Sequence, residues 1–149
     1  MHTHRPTWIA LAALLAVILA GAAQTGSRQA LNPPGTEASP NFSNGILAGR
    51  TLYVAGQQGT DQKGHLLNGI AAQTKGALQN IRRVVQAAGM RMSDVATVNV
   101  YLADIHDFAA MNQVYVTMFP NPRPSRTTVQ VSGLANNARI EISAIAVKP

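Results

Sequence analysis

The 149-residue chain has no cysteine, one tryptophan and only six acidic residues. Without a thiol there is no disulfide framework, no thiolate zinc site and no cysteine nucleophile. Four histidines leave little material for a multi-histidine metal centre. Charged residues make up 12% of the chain, and the twelve cations behind its formal net charge of +6 are scattered. Only Arg82 and Arg83 are adjacent, and no aromatic residues interleave with them, which is a poor design for gripping nucleic acid. Gly56-Gln57-Gln58-Gly59 lacks the Gly-Lys-Ser/Thr ending of a phosphate loop. Long apolar runs are also missing, with one exception.

That exception is residues 8–20 (WIALAALLAVILA), thirteen apolar residues in a row. Arg5 precedes them, and Ala20-Gly21-Ala22-Ala23 follows. A basic start, a short apolar core and a small-residue end make a secretory signal peptide. As a helix the run rises only about 20 Å, short of the roughly 30 Å hydrocarbon layer. We therefore expect residues 1–23 to be cleaved near Ala22-Ala23, giving an exported, periplasmic or secreted product with no membrane attachment. Residues 24–40 (QTGSRQALNPPGTEASP), rich in proline and glycine, read as a flexible leader. One domain then fills 41–149, long enough to bury a core.

Within it, Ile46–Ala48 and Thr51–Ala55 read as short strands. Ile70, Thr74, Ala77, Ile81, Val84, Val85 and Ala88 recur at helical spacing, with Gly89 placed to end the helix. Val95–Leu102 alternates as a strand. Asp104 can cap a second helix whose inner face is Phe108, Met111, Asn112, Tyr115, Met118 and Phe119, stopped by Pro120, Pro122 and Pro124. Arg126–Val131 and Arg139–Val147 complete a β-β-α-β-α-β-β order. That order predicts an α+β layer, two helices on one face of a sheet.

Few residues invite chemistry. Glu141 lies inside the apolar strand Arg139–Val147, where a carboxylate needs a partner; it either faces water or pairs with Arg139. Arg126 follows the stiff Pro122–Ser125 segment, which can aim a guanidinium, the side chain best shaped to grasp a carboxylate. Read alone, it is equally a surface arginine at a strand end. Asn112 is a polar residue on an otherwise apolar helix face. His65 and His106 lie loosely beside Asp61 and Asp107 in solvated turns, and no nucleophile-elbow motif supports a Ser-His-Asp site.

Pro124-Ser-Arg-Thr-Thr-Val-Gln-Val131 followed by Ile140-Glu-Ile-Ser-Ala-Ile-Ala-Val147 resembles the signature of the Rid family of reactive intermediate deaminases, also called the YjgF or endoribonuclease L-PSP family. Leu52–Gln57, Asn80-Ile81 through Gly89, and Asp107–Asn112 with Tyr115 and Phe119 add to the likeness. The resemblance implies a chorismate-mutase-like subunit, a homotrimer with clefts at subunit boundaries, and no metal or organic cofactor. It implies hydrolysis of 2-imino or 2-enamino acids to 2-oxo acids and ammonia. Arg126 would clamp the substrate carboxylate, Glu141 would position water, and the main chain at Thr128 and Gly56 would hold both. Asn112 and Phe42 match cleft positions. Phe42 stands where the family commonly has tyrosine, Ala55 where it has serine and Thr128 where it has cysteine. The alternative is a non-catalytic trimer that binds small carboxylates; RNA cleavage, an older label of the family, is opposed by the dispersed cations and by export.

Overall fold

The computed structural model describes residues 28–36 and 39–149; the expected signal peptide, 1–23, lies outside the described residues. Six strands form one mixed sheet: β1 Arg28–Leu31, β2 Gly45–Ala48, β3 Thr51–Gln58, β4 Val95–Leu102, β5 Ser125–Gln130 and β6 Ile140–Val147. Their spatial order is β1-β2-β3-β6-β4-β5. All neighbours are antiparallel except β4 and β5. A parallel pair needs a crossover, and helix α2, Phe108–Met118, supplies it. The longer helix α1, Ile70–Ala87, lies between β3 and β4 in the chain.

Alternation along the strands decides which face the helices cover. On β6, Ile140, Ile142, Ala144 and Ala146 are buried, while Glu141, Ser143 and Ile145 are not. On β4 the buried set includes Val98, Val100 and Leu102. These pack with Leu78, Ile81, Val84 and Val85 of α1 and Met111 and Tyr115 of α2 into one core. Full burial of a leucine such as Leu78 contributes about 2 kcal/mol of transfer free energy. Gly89 ends α1 as expected: at φ +70° it adopts a left-handed turn that a side chain would oppose. Its N–H donates to the Gln86 carbonyl at 2.9 Å.

The opposite face carries Tyr53, Val129 and Val147, all exposed, with Thr97, Asn99, Tyr101, Ser143 and Ile145 half-buried between them. Nothing within the described residues packs a helix there.

The expected α+β class, with two helices on one face of a mixed sheet, is the observed one. Four details differ. The stretch expected as a flexible leader contains β1, because the outer edge of β2 offers unpaired backbone groups that a further strand satisfies. Arg28 pairs with Ala48 and Leu31 with Gly45, Leu31 is buried, and the Asn32 side chain accepts the Asn44 N–H at 2.8 Å. Strand β3 runs three residues past Ala55, with a register shift between Val54 and Gln57. Asp104 caps a short 3-10 turn, Ile105–Asp107, by accepting the His106 N–H; α2 begins only after it. On α2, Phe108 is exposed and Asn112 and Met118 are half-buried, so the truly inner residues are Met111, Tyr115 and, just beyond the helix, Phe119.

Candidate functional site

Two cavities hold the residues singled out above, and they are separate. The first is about 310 Å3 and lies around the register shift of β3, lined by Phe42, Ala55, Gly56, Gln58, Asn80 and Glu141 among others. Strand β6 places Glu141 opposite Gln58 of β3 and Tyr101 of β4. The Gln58 amide donates to Glu141 Oε2 at 3.1 Å and to the Ala135 carbonyl at 3.0 Å. Its own oxygen accepts from Asn136 at 3.3 Å. The carboxylate is thus held from one side and faces the cavity with its other oxygen. Gly56 makes this possible: a Cβ there would stand 2.1 Å from Glu141 Oε1, inside any tolerable contact. Asn80, buried on α1, supports the rim by donating to the Gln58 carbonyl at 3.0 Å and to Thr60 at 3.3 Å.

The second cavity, also about 310 Å3, is lined by Asn112, Tyr115, Val116, Arg123, Pro124 and Arg126. Arg126 pairs with Val98 in the parallel β4–β5 register, so its side chain points to the helix-covered face. There Asn112 Oδ1 accepts from Arg126 Nη1 at 2.9 Å. The guanidinium carbon lies 4.5 Å from the Tyr115 ring centre and 5.6 Å from that of Phe108. One amide and two ring faces thereby set its direction while leaving donors for a ligand. The Tyr115 hydroxyl and Thr128 Oγ1 are buried without a partner. Burial pushes the Tyr115 hydroxyl above its ordinary pKa, against the opposing pull of Arg126 and Arg123.

Arg126 and Glu141 therefore do not share a cleft within one chain. Strand β4 separates them, their register positions are three residues apart (Val98 and Tyr101), and their side chains leave opposite faces of the sheet. Within the chain the partner of Glu141 is Gln58. Nor does Arg139 pair with Glu141. Two residues apart on an extended chain they would face the same way, but Arg139 precedes β6 and turns to Asp107, at 2.6 and 2.9 Å. That hydrogen bond holds the guanidinium charged, its pKa raised. Because Asp107 is buried, the two-point pair ties the start of β6 to the start of α2, one strand bearing Glu141 and the other helix bearing Asn112. Gln73 of α1 joins it by accepting the Arg139 N–H at 2.8 Å. His106 pairs with Asp104 rather than Asp107, at 2.8 Å, and His65 with Asp61 at 3.3 Å. In both, backbone N–H donors hold the aspartate below its ordinary value. Among the described residues no group of three or more metal-ligating side chains converges.

Sequence reading missed Gln58, Asn136, Arg123 and the Asp107–Arg139 pair. One signal was available: Gln73, Thr74 and Asn80 are polar residues on the apolar stripe of α1, where only a partnered side chain is tolerated.

The chain matches the family described as Endoribonuclease L-PSP over residues 33–148. It is similar to a RutC family protein of Pyrococcus horikoshii, 45% identical over 109 residues that cover 72% of this chain and 86% of that one. It is also similar to the 2-iminobutanoate/2-iminopropanoate deaminase of Rattus norvegicus, 42% identical over 109 residues, 72% of this chain and 80% of that one. Among solved structures, E. coli TdcF with bound serine superimposes with a TM-score of 0.73 at 30% identity, covering 79% of this chain and 94% of that one.

Proposed function

The chain belongs to the Endoribonuclease L-PSP (Rid) family, and on that footing we propose that it hydrolyses 2-imino acids to 2-oxo acids and ammonia. The observation that carries the proposal is the guanidinium of Arg126, aimed by Asn112 and Tyr115 with donors to spare. It is complemented by a carboxylate, Glu141, held at one oxygen and open at the other.

The two half-sites lie on opposite faces of one sheet, and the uncovered face carries Tyr53, Val129 and Val147. Both facts are explained by a second copy of the chain. In this reading the protein is a homotrimer whose bare sheet faces cover one another. Each cleft then takes Arg126 and Asn112 from one subunit and Glu141, Gly56 and Phe42 from its neighbour.

The chemistry follows from that arrangement. Arg126 binds the substrate carboxylate, with the main chain at Thr128 alongside, which fixes the imine carbon in front of a water held by Glu141 and the main chain near Gly56. As the water oxygen bonds to that carbon, its proton passes to Glu141 and the C=N electron pair to nitrogen, which takes up a proton. Glu141, the donor of that proton, then takes the hydroxyl proton of the carbinolamine and passes it to the amine nitrogen as the C–N bond breaks, so that ammonia leaves as the C=O bond forms. Orientation and proton handling suffice for so reactive a substrate. With residues 1–23 acting as an export signal, this reaction takes place outside the cytoplasm on imines generated there.

The test is ammonia or 2-oxo acid release from freshly generated imines. Wild-type protein should exceed buffer, and Arg126→Ala should fall to the buffer rate; equality of wild type and buffer across several imines would sink the proposal. A second reading, a carboxylate-binding trimer without turnover, draws on the bound serine of TdcF and on Phe42 and Ala55, which bring no hydroxyl to the Glu141 cavity. Ligand-induced stabilisation without product would select it.

A further inference from the structure

Arg126 is not the only cation on its cavity. Arg123 lines the same space, and the lining contains no acidic residue. Among the described residues Arg123 makes no hydrogen bond or ion pair. An exposed arginine in a loop is ordinarily just solvated, but three features distinguish this one. It stands between Pro122 and Pro124, which fix their own backbone angles and hold Arg123 extended, so the backbone that carries it is stiff. It shares the cavity with Tyr115, whose hydroxyl is buried and without a partner. And its positive charge reaches that hydroxyl together with the charge of Arg126. Two arginines on the lining of one small cavity, with no acidic residue beside them, describe a receptor for two negative charges.

We propose that Arg123 is a specificity residue that selects 2-imino dicarboxylic acids, the imines of acidic amino acids, by receiving the side-chain carboxylate while Arg126 receives the one beside the imine carbon. This rests on the reading that Arg126 binds the substrate carboxylate. A neutral imine leaves Arg123 with water and gains nothing from it. A dicarboxylate exchanges water for a charge-assisted contact in a partly enclosed space. The preference is expected to be about tenfold, between the worth of an exposed ion pair and that of a sheltered one, and to shrink as salt rises.

The experiment compares two readouts on purified wild-type and Arg123→Gln protein. Calorimetry measures binding of the stable products 2-oxoglutarate and 2-oxobutanoate; the ammonia assay measures kcat/KM for the corresponding imines. Wild type is expected to bind 2-oxoglutarate about tenfold more tightly and to favour its imine by a similar factor, with Arg123→Gln bringing each pair together and Arg123→Glu reversing the order. Equal affinities in the wild type, or an Arg123→Gln loss that is the same for both ligands, overturns the assignment. The latter result would mean that Arg123 pairs with a neighbouring subunit instead. If the wild type prefers 2-oxoglutarate in calorimetry yet hydrolyses neither imine, the dicarboxylate site stands and the deaminase reading fails. Should the neutral imine be hydrolysed with no dicarboxylate preference in either readout, the deaminase reading stands and this one fails.

Discussion

Splitting the site between subunits can be tested by mixing two dead proteins. Arg126→Ala removes the proposed carboxylate clamp and Glu141→Gln the proposed water-positioning base, and on that proposal each substitution alone should cost about 100-fold or more in kcat/KM. Neither is a buried core residue: Arg126 ends in a cavity, against the Tyr115 ring, and Glu141 faces away from Ile140 and Ile142. If the two variants are denatured together at equal concentration and refolded, their subunits assort at random. A cleft draws its arginine from an intact chain half the time and its glutamate from an intact chain half the time, so about a quarter of the clefts, and about a quarter of wild-type activity, should return in a cyclic trimer. Every mixed trimer holds one working cleft whichever variant is in the majority. The assay is continuous ammonia release, with each variant refolded alone as the blank and circular dichroism confirming refolding. Activity that stays at the mean of the two blanks would refute the argument, since it would mean that Arg126 and Glu141 serve the same subunit.

Other outcomes follow from single contacts. Leu78→Ala, at a position with no solvent exposure, should lower unfolding stability by about 2–5 kcal/mol in urea titrations. Asp107→Asn weakens the two-point contact with Arg139; a loss of about 1–3 kcal/mol is expected, together with lower kcat/KM, because β6 and α2 carry the two half-sites. Tyr115→Phe deletes a buried hydroxyl without a partner, so ligand-free protein should be unchanged or more stable by about 1 kcal/mol, while carboxylate affinity falls. The Asp104 carboxyl is held below its ordinary 3.8, chiefly by the His106 N–H. Its stabilising share is therefore complete above pH 3.8 and fades as pH drops through the lower folded value; the melting difference between wild type and Asp104→Asn should narrow over that acid range and stay constant near neutrality. On the proposal that residues 1–23 are an export signal that is cleaved, the processed protein should show no tryptophan emission, since Trp8, the chain's one tryptophan, would be removed with them.

Periodicity revealed most of the fold because period encodes burial. Ile70 to Ala88 showed a helix through three- and four-residue steps, and Val95–Leu102 showed a strand through alternation. What was hidden depended on partners distant in the chain. The sequence around Arg28–Leu31 is polar and close to prolines, and only the vacant edge of β2 makes it a strand. By a local argument Arg139 had one carboxylate in reach, Glu141, and the choice of Asp107 instead is set by where α2 starts, 32 residues earlier. Least legible was the placing of Arg126 and Glu141 on opposite faces of the sheet. Both residues were visible as chemistry, but which face each occupies depends on the parallel β4–β5 register, and no pattern within either strand announces that.

The contact between Gly56 and Glu141 also has a historical side. A lineage can alter position 56 only after the carboxylate at 141 has been lost or redirected, because any side chain there occupies the space of Oε1. The reverse order is open: position 141 can drift while glycine remains. The two sites are thus joined by a one-way gate. Descendants that abandoned the chemistry should show changes at 141 first and at 56 second, and any that carry alanine at 56 with glutamate at 141 should hold that carboxylate away from its present place beside Gly56. A library randomised at both codons and selected for folded protein should reproduce that asymmetry within a single round.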